Sequence, residues 1–226
     1  MAKSYNTDFA DALKLLYREV QSRRQWASNT WTDTGAEQEV KMLEYACGPG
    51  TVSLALAPFV SKVVGLDVSE GMVNEYNKNA REAGFAEKMA GHKGDLLADT
   101  VSAEISGPEF SDFDIVCVSM ALHHFEDPEL ALKRVAERLK KGGVSLIVDL
   151  VPDHNHEHHS HELKKDFPAV ETIKTHGFTA EDMRKLYESA GLGLNFDYQV
   201  FEEPFVFHKN GKTHSKTIFI ARAERQ

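Results

Sequence analysis

Short apolar runs alternate with amphipathic helices along the middle of this chain, and the alternation restricts the fold more than any other feature. Four runs have the length of buried strands, at 40–46, 62–68, 113–120 and 144–150, and a shorter one ends at 94–96. Helical patterns separate them at 51–60, 70–83 and 128–139. Strands that alternate with helices form a parallel sheet covered on both faces, because each helix packs back on the sheet. We therefore predict a doubly wound α/β fold.

The two ends of the chain extend this core. Apolar residues recur at helical spacing over 8–26, which predicts an N-terminal helical cap. Towards the other end we predict a helix over 178–191 and strands over 196–207 and 216–223. The Asn-Gly pair at 210–211 lies between these strands and is typical of a tight hairpin. We expect one domain over 1–226, with a sheet of about seven strands that is mostly parallel and has an antiparallel C-terminal strand.

Composition and charge limit the classes of partner. Hydrophobic residues make up 42% of the chain, which is enough for a core without disulfides, and Cys47 and Cys117 lie in apolar runs, as is typical of free thiols in a reducing compartment. The formal net charge is −9 and the sequence has no long Lys/Arg run, which disfavours nucleic acid as a partner. No apolar stretch has the length of a membrane span. We expect a cytoplasmic protein that acts on a small molecule without a metal ion, and the oligomeric state stays open.

One segment carries most of the functional information. Residues 43–51, Leu-Glu-Tyr-Ala-Cys-Gly-Pro-Gly-Thr, are an apolar strand that ends in a glycine-rich turn and opens a helix, and glycine lets the backbone approach a ligand closely. The next strand ends at Asp67, whose carboxylate can accept both hydroxyls of a ribose. Ligands of open α/β sheets bind outside the carboxyl ends of the strands, where Asp95 and Met120 also fall. These positions therefore predict one nucleoside site.

With these motifs the chain resembles the class I S-adenosylmethionine-dependent methyltransferases, in particular the small-molecule branch of ubiquinone and menaquinone biosynthesis. The resemblance is best over 40–150 and implies a Rossmann-like cofactor-binding core there. It further implies an N-terminal cap or lid over 1–39, and an acceptor-side loop, helix and closing strands over 151–226. The cofactor that it implies is S-adenosyl-L-methionine.

The resemblance also assigns residues to parts of the cofactor. The positions that hold the methionine part match Glu44, Ala46, Gly48 and Gly50. The acid that holds the ribose matches Asp67, and the acid and its neighbour at the adenine match Asp95 and Leu96. The other cofactor-side positions that we predict are Cys47, Val68, Met72, Met120 and Ala121.

The turn also allows two other interpretations. Family members usually have glycine where Ala46 stands, and a methyl group there narrows the room for the methionine backbone. Nicotinamide-dependent oxidoreductases have similar turns, but their fingerprint needs a third glycine where this chain has Ser53. A glycine turn with a purely structural role is the other alternative. Asp67, the Gly-Asp-Leu at 94–96 and the Met-Ala-Leu-His-His at 120–124 favour the methyltransferase.

Two groups of histidines are candidates for chemistry. His123 and His124 follow the fourth strand at the crevice, and since imidazole titrates near neutral pH, either could take a proton from the acceptor or steer it. The competing interpretation is that one packs in the core and the other caps the following helix. The run Asp-His-Asn-His-Glu-His-His-Ser-His at 153–161 has spacing suited to metal ligands, but the resemblance places it in the loop that covers the acceptor, and we predict no metal site.

The motifs leave the acceptor itself open. The overall pattern also resembles fungal methyltransferases of secondary metabolism that act on dithiols such as reduced gliotoxin, which implies S-methylation of a thiol or dithiol. A thiol needs no strong base, because it ionises more easily than an alcohol. The alternatives are O- or C-methylation of a phenol- or quinol-type metabolite, and a non-catalytic regulator that binds S-adenosylmethionine. A protein or nucleic-acid methyltransferase is disfavoured by the net charge.

Overall fold

The computed structural model describes residues 8–34, 38–152, 173–209 and 211–226. The strands in these ranges are β1 Lys41–Tyr45, β2 Lys62–Asp67, β3 Met89–Lys93, β4 Phe113–Ser119, β5 Leu139–Leu150, β6 Leu194–Val200, β7 Phe205–Lys209, β8 Lys212–Lys216 and β9 Ile218–Glu224. The α-helices are α1 Ala10–Ser22, α2 Arg24–Ala27, α3 Thr51–Leu56, α4 Glu70–Glu82, α5 Pro128–Arg138 and α6 Ala180–Ser189.

Seven strands form the main sheet, in the order β3-β2-β1-β4-β5-β9-β6. The strands β3, β2, β1, β4 and β5 are parallel to one another. In contrast, β9 is antiparallel to both β5 and β6. The chain winds outward in opposite directions from β1 and β4, and open α/β sheets bind their ligands at such a switch point. The predicted doubly wound sheet of seven strands with an antiparallel C-terminal strand is confirmed.

Each face of the sheet has its own hydrophobic core. Met42 and Val63 belong to a core that includes buried residues of α1, α3 and α4, whereas Leu43 and Val64 belong to a core that includes residues of α5 and α6. Successive strand residues point to opposite faces, so both cores need apolar side chains at neighbouring positions. This requirement explains the unbroken apolar runs in the sequence.

Two predicted elements are interrupted in the structure. The helix expected over 8–26 breaks at Arg23, between α1 and the short α2. The strand expected over 196–207 is two strands, of which β6 joins the main sheet and β7 does not. Between them the buried Phe201 donates its N–H to the Ile218 carbonyl over 3.0 Å, and Pro204, which has no N–H to give to a ladder, precedes β7.

The expected hairpin is present, but it lies outside the main sheet. β7 pairs with β8 as a separate antiparallel ribbon, so the main sheet closes with β9 and β6 instead. The ribbon packs on the N-terminal cap, where the rings of Phe9 and Phe207 stack with their centroids 5.0 Å apart. The cap is tied in turn to α3, because the Gln21 side chain donates to the Ala55 carbonyl over 3.0 Å.

A fully buried tyrosine of α4, Tyr76, packs against glycines of the adjoining turn and strands. A Cβ atom added to Gly65 would lie 2.7 Å from the Tyr76 ring and 3.0 Å from the Cys47 sulfur, and one added to Gly50 would lie 2.7 Å from the same ring. Gly91, which pairs with Gly65 across β2 and β3, is in similar contact. The ring therefore needs glycine at these positions, independently of any ligand.

Substituting Gly65→Ala should destabilise the protein by about 1–3 kcal/mol, the usual cost of overpacking, since the buried ring has no room to move. Urea unfolding measures this directly. The matched control is Gly193→Ala, whose added methyl would meet no atom closer than the end of the flexible Gln226 side chain, at 3.3 Å. Equal stability of the two variants would contradict the packing argument.

Candidate functional site

The predicted cofactor residues lie in segments that meet at one edge of the sheet. Tyr45 of β1 pairs with Leu66 of β2 and Val118 of β4, so the carboxyl ends of these parallel strands are level. The turn after β1, the acid that ends β2 and the residue Met120 after β4 therefore leave the sheet side by side. The register thus supports the sequence argument for a shared crevice, at the switch point of the sheet.

The turn after β1 has a backbone conformation that few residues adopt. Ala46, Gly48 and Gly50 have φ angles of 54°, 49° and 84°, in the left-handed region. Glycine adopts this region freely, whereas a Cβ atom makes it costly by roughly 1–2 kcal/mol. The structure therefore gives a backbone reason why glycine suits the position of Ala46, besides the room that a ligand would need.

Asp67 holds this turn to the start of α4. Its Oδ2 accepts the Gly48 N–H over 2.9 Å, and its Oδ1 accepts the Ser69 N–H over 2.8 Å. A carboxylate has about four lone-pair positions, so each oxygen can accept a further hydrogen bond. Asp67 is buried, with 8% of its surface exposed. It can therefore fix the turn and bind ligand hydroxyls at the same time.

Glu44 lies beneath the turn and is only 2% exposed. One carboxylate oxygen accepts the Ser53 N–H over 2.9 Å and also the Ser53 hydroxyl, and Tyr76 donates its hydroxyl to Ser53 Oγ over 2.9 Å. Burial raises the pKa of Glu44 to about 7, and the charge of Asp67 contributes in the same direction. Ser53 and Tyr76 were missed by the sequence analysis, which considered Ser53 only as an absent glycine. A direct contact between Glu44 and a ligand stays a prediction.

The third strand brings Asp95 next to a tyrosine that the sequence did not indicate. Tyr45 donates its hydroxyl to Asp95 Oδ1 over 3.0 Å, and the Leu97 N–H donates to the same oxygen over 2.8 Å. Asp95 itself is exposed, so its other oxygen can meet a ligand. Leu96, expected to pack on an adenine ring, is fully buried in the core that includes Leu43. Its contact with a ligand is untested.

The remaining predicted cofactor positions vary in exposure. Val68 is 59% exposed, Met72, Met120 and Ala121 are half-buried, and Cys47 is buried. Met120 has a φ of 53°, so the chain turns sharply where β4 ends. Both cysteines are free thiols, and burial raises the pKa of each.

The two candidate catalytic histidines differ in their surroundings. His123 is buried and its Nδ1 lies 2.7 Å from Asp149 Oδ1, whereas His124 is half-buried with its ring centroid 4.0 Å from that of His123. The alternative that a histidine caps the following helix is wrong, because the N-cap of α5 is Asp127, which accepts the Leu130 N–H over 2.8 Å. Asp149 was missed, although an acid near the end of the apolar run 144–150 was a usable signal.

Among the residues that the structure describes, no helix is long and apolar enough to cross a membrane. Nor do three or more histidine, cysteine, aspartate or glutamate side chains come together there as metal ligands would. The histidine-rich run 153–161 lies outside the described residues.

The strand order and the turns at the strand ends define a Rossmann-like α/β protein. Comparison with known sequences gives the family. A profile of the methyltransferase-domain family matches residues 14–194. An uncharacterized methyltransferase of Schizosaccharomyces pombe is 30% identical over 166 residues, which are 73% of this chain and 56% of that protein. A demethylmenaquinone methyltransferase of Staphylococcus aureus is 29% identical over 127 residues, 55% of this chain and 48% of that protein.

Comparison of structures agrees on the fold. The crystal structure of YcgJ from Bacillus subtilis superposes with a TM-score of 0.65 at 19% identity, covering 96% of this chain and 99% of that one. The chain belongs to the methyltransferase-domain family, and hence to the class I S-adenosylmethionine-dependent methyltransferases, whose cofactor is S-adenosylmethionine. It spans about half the length of the curated relatives that it matches.

The buried carboxylate of Glu44 should make the stability of the protein depend on pH. Its pKa rises from an ordinary value of 4.5 to about 7 on folding, so between these values the unfolded chain binds fewer protons than the folded one. Stability from this group is therefore lost as pH rises from about 4.5 to about 7, by on the order of 3 kcal/mol in all.

Glu44→Gln should remove this part of the pH dependence. Urea unfolding of the parent chain and the variant at pH 5 and pH 8 gives the difference in slope that belongs to Glu44. Glu188→Gln, on the exposed side of α6, is the control and should follow the parent. If Glu44→Gln also follows the parent at both pH values, the carboxylate is not protonated in the folded state as we expect.

Proposed function

We propose that this chain transfers the methyl group of S-adenosylmethionine to a small-molecule acceptor at the carboxyl edge of its sheet. The observation that carries this proposal is Asp67, which fixes the glycine turn and has lone pairs left for the two hydroxyls of a ribose. The exposed Asp95 at the neighbouring strand end suits the adenine amine. The hydroxyl and amine donors of a nucleoside would thus have carboxylate acceptors at neighbouring strand ends.

The residues that would hold the cofactor are those of the strand ends. Ala46, Gly48 and Gly50 expose backbone beside the methionine part, with Glu44 beneath them, and Asp67 and Asp95 bind the ribose and the adenine. The flanking positions are Cys47, Val68, Met72, Leu96, Met120 and Ala121.

When bound, the cofactor supplies an activated methyl group on a sulfonium, so the chain has little covalent chemistry to perform. Its contribution is to align the acceptor with the methyl group and to exclude water, which can lower the barrier by roughly 7 kcal/mol or more at best. We propose that the acceptor lies beside the ends of β4 and β5, near His123 and His124, between the cap at 1–39 and the segment 151–226.

Two acceptor classes fit a site of this kind. The sequence resemblance to fungal dithiol methyltransferases favours S-methylation of a thiol, which needs no base. The pairing of His123 with Asp149 favours O- or C-methylation of a phenol- or quinol-type hydroxyl compound, because a base assists only when the acceptor holds its proton tightly. The demethylmenaquinone methyltransferase among the relatives supports the same choice. We propose the phenol or quinol class, with the thiol as alternative.

Calorimetric titration with S-adenosylhomocysteine, followed by a methyl-transfer screen on phenols, catechols, quinols and dithiols, tests the proposal. Binding with turnover of a hydroxyl compound supports it, and turnover of dithiols alone favours the alternative acceptor. Binding with no turnover of any class favours a non-catalytic regulator. A chain that does not bind S-adenosylhomocysteine would contradict the proposed function.

Asp67→Ala should weaken S-adenosylhomocysteine binding by about 1.5–3 kcal/mol for each charged hydrogen bond lost, which is at least a roughly tenfold change in Kd. The same calorimetric titration measures it. Because Asp67 also holds the turn, a thermal melt of the variant must show that it is folded at the temperature of the titration. Glu188→Ala is the control, and a Kd for Asp67→Ala equal to that of the control would place the ribose elsewhere.

A further inference from the structure

The side chain of Tyr45 connects two strand ends that are not neighbours in the sheet. Tyr45 is the last residue of β1 and Asp95 follows β3, so the end of β2 lies between them. The Tyr45 hydroxyl donates to Asp95 Oδ1 over 3.0 Å. Two strand spacings amount to about 10 Å, a distance that needs a long side chain on one of the two partners. The bond therefore ties the first strand to the segment that follows the third.

The ring of Tyr45 is fixed by packing, and its hydroxyl is a donor. Only 2% of the residue is exposed, its ring belongs to the core that includes Leu43, and the Phe125 ring lies 5.6 Å from it between centroids. Burial raises the pKa of Tyr45, and the charge of Asp95 raises it further, so the hydroxyl keeps its proton at neutral pH. Phenylalanine would fill the same space in the core. The hydroxyl is thus the part of Tyr45 that packing does not require.

The two oxygens of Asp95 have different roles. Oδ1 accepts both the Tyr45 hydroxyl and the Leu97 N–H, over 3.0 and 2.8 Å, and these two donors use its two lone pairs. Oδ2 is then the oxygen that remains for a ligand, since Asp95 as a residue is exposed. The Gly94 N–H donates to the Asp67 carbonyl over 3.0 Å, which keeps this segment beside the acid that we assign to the ribose.

We propose that Tyr45 is a positioning residue that holds Asp95 Oδ2 towards position 6 of the purine, so that the site selects an amine there over a carbonyl, an inference that rests on the proposed function. A carboxylate only accepts hydrogen bonds. It attracts the amine of adenine, which donates, and repels the carbonyl oxygen of hypoxanthine, which only accepts. A carboxylate that is free to turn can reach the N1–H of hypoxanthine instead, so the selection depends on the group that fixes it.

Calorimetric titration with S-adenosylhomocysteine and with S-inosylhomocysteine, which carries hypoxanthine in place of adenine, tests the inference. The parent chain should bind the adenine ligand about ten- to a hundredfold more tightly, as expected for a hydrogen bond to a charged group. Tyr45→Phe should weaken S-adenosylhomocysteine binding by about three- to tenfold and leave S-inosylhomocysteine binding nearly unchanged. The ratio of the two Kd values then falls by about threefold or more, whereas a loss of packing alone would weaken both ligands alike.

Asp95→Asn gives a second readout that needs no change in the core, because an asparagine amide has one accepting and one donating end. Tyr45 and Leu97 both donate, so they should hold the amide oxygen in the place of Oδ1 and leave the NH₂ group facing the purine. The variant should therefore prefer S-inosylhomocysteine, the reverse of the parent chain. In the double variant Tyr45→Phe, Asp95→Asn the amide has one donor fewer, and the preference should move towards equal binding by about threefold or more.

Tyr187→Phe is the matched control, because Tyr187 is also buried but lies in α6 and donates its hydroxyl to the Ala221 carbonyl of β9 over 3.2 Å. It should lower stability and leave the ratio of the two Kd values as in the parent chain. Thermal melts must show that each variant is folded at the temperature of the titration.

Three results would overturn the inference while the proposed function stands. They are a parent chain that binds both ligands equally, a Tyr45→Phe variant that keeps the parent ratio of Kd values, and an Asp95→Asn variant that still prefers adenine. A double variant with the same preference as Asp95→Asn would also show that Tyr45 does not orient the side chain at 95. A parent chain that binds neither ligand contradicts the proposed function itself, and the inference falls with it.

Discussion

The carboxylate of Asp67 connects two segments that the sheet alone does not hold together, the turn after β1 and the start of α4. β1 and β2 bring their ends together by register, but the turn after β1 consists of residues in left-handed conformations that have little stability of their own. Asp67 accepts N–H groups from that turn and from the start of α4, so one side chain fixes two chain segments. The turn therefore has a defined conformation without a ligand.

A second set of side chains, beneath the turn, adds to the support that Asp67 gives. Tyr76 fills the space left by the glycines and donates to Ser53, which in turn donates to Glu44. The arrangement places a carboxylate in the core at an energetic cost, since burial opposes its charge. Among the described residues no lysine or arginine is within ion-pair distance of Glu44 or Asp67. The lack of a cationic partner for Glu44 agrees with its raised pKa, since burial is the main cause and no positive charge opposes it.

The sequence predicted the features that depend on local patterns. Apolar runs and glycine turns located the strands β1, β2, β4 and β5 and the helices between them, because buried parallel strands need apolar residues on both faces. The position of β3 was predicted only approximately, as a short run that ends at 94–96. Its residues at 90–93 are mostly exposed at the edge of the sheet and carry no apolar signal. The split of 196–207 was missed for a different reason: β6 and β7 both mix apolar and polar residues, and only tertiary packing assigns them to different sheets.

Some residues of the candidate site could likewise be predicted from the local sequence, whereas others depend on partners far away along the chain. Asp67 and Asp95 were predicted because they lie at or just after the ends of strands, a property of the local sequence. Asp149 and Tyr76 act through partners 26 and 23 residues away, His123 and Ser53, and no spacing rule connects such pairs. The sequence offers His123 and His124 equally as candidate bases, because it does not show what holds either ring. The structure distinguishes them, since only the buried His123 is paired with Asp149.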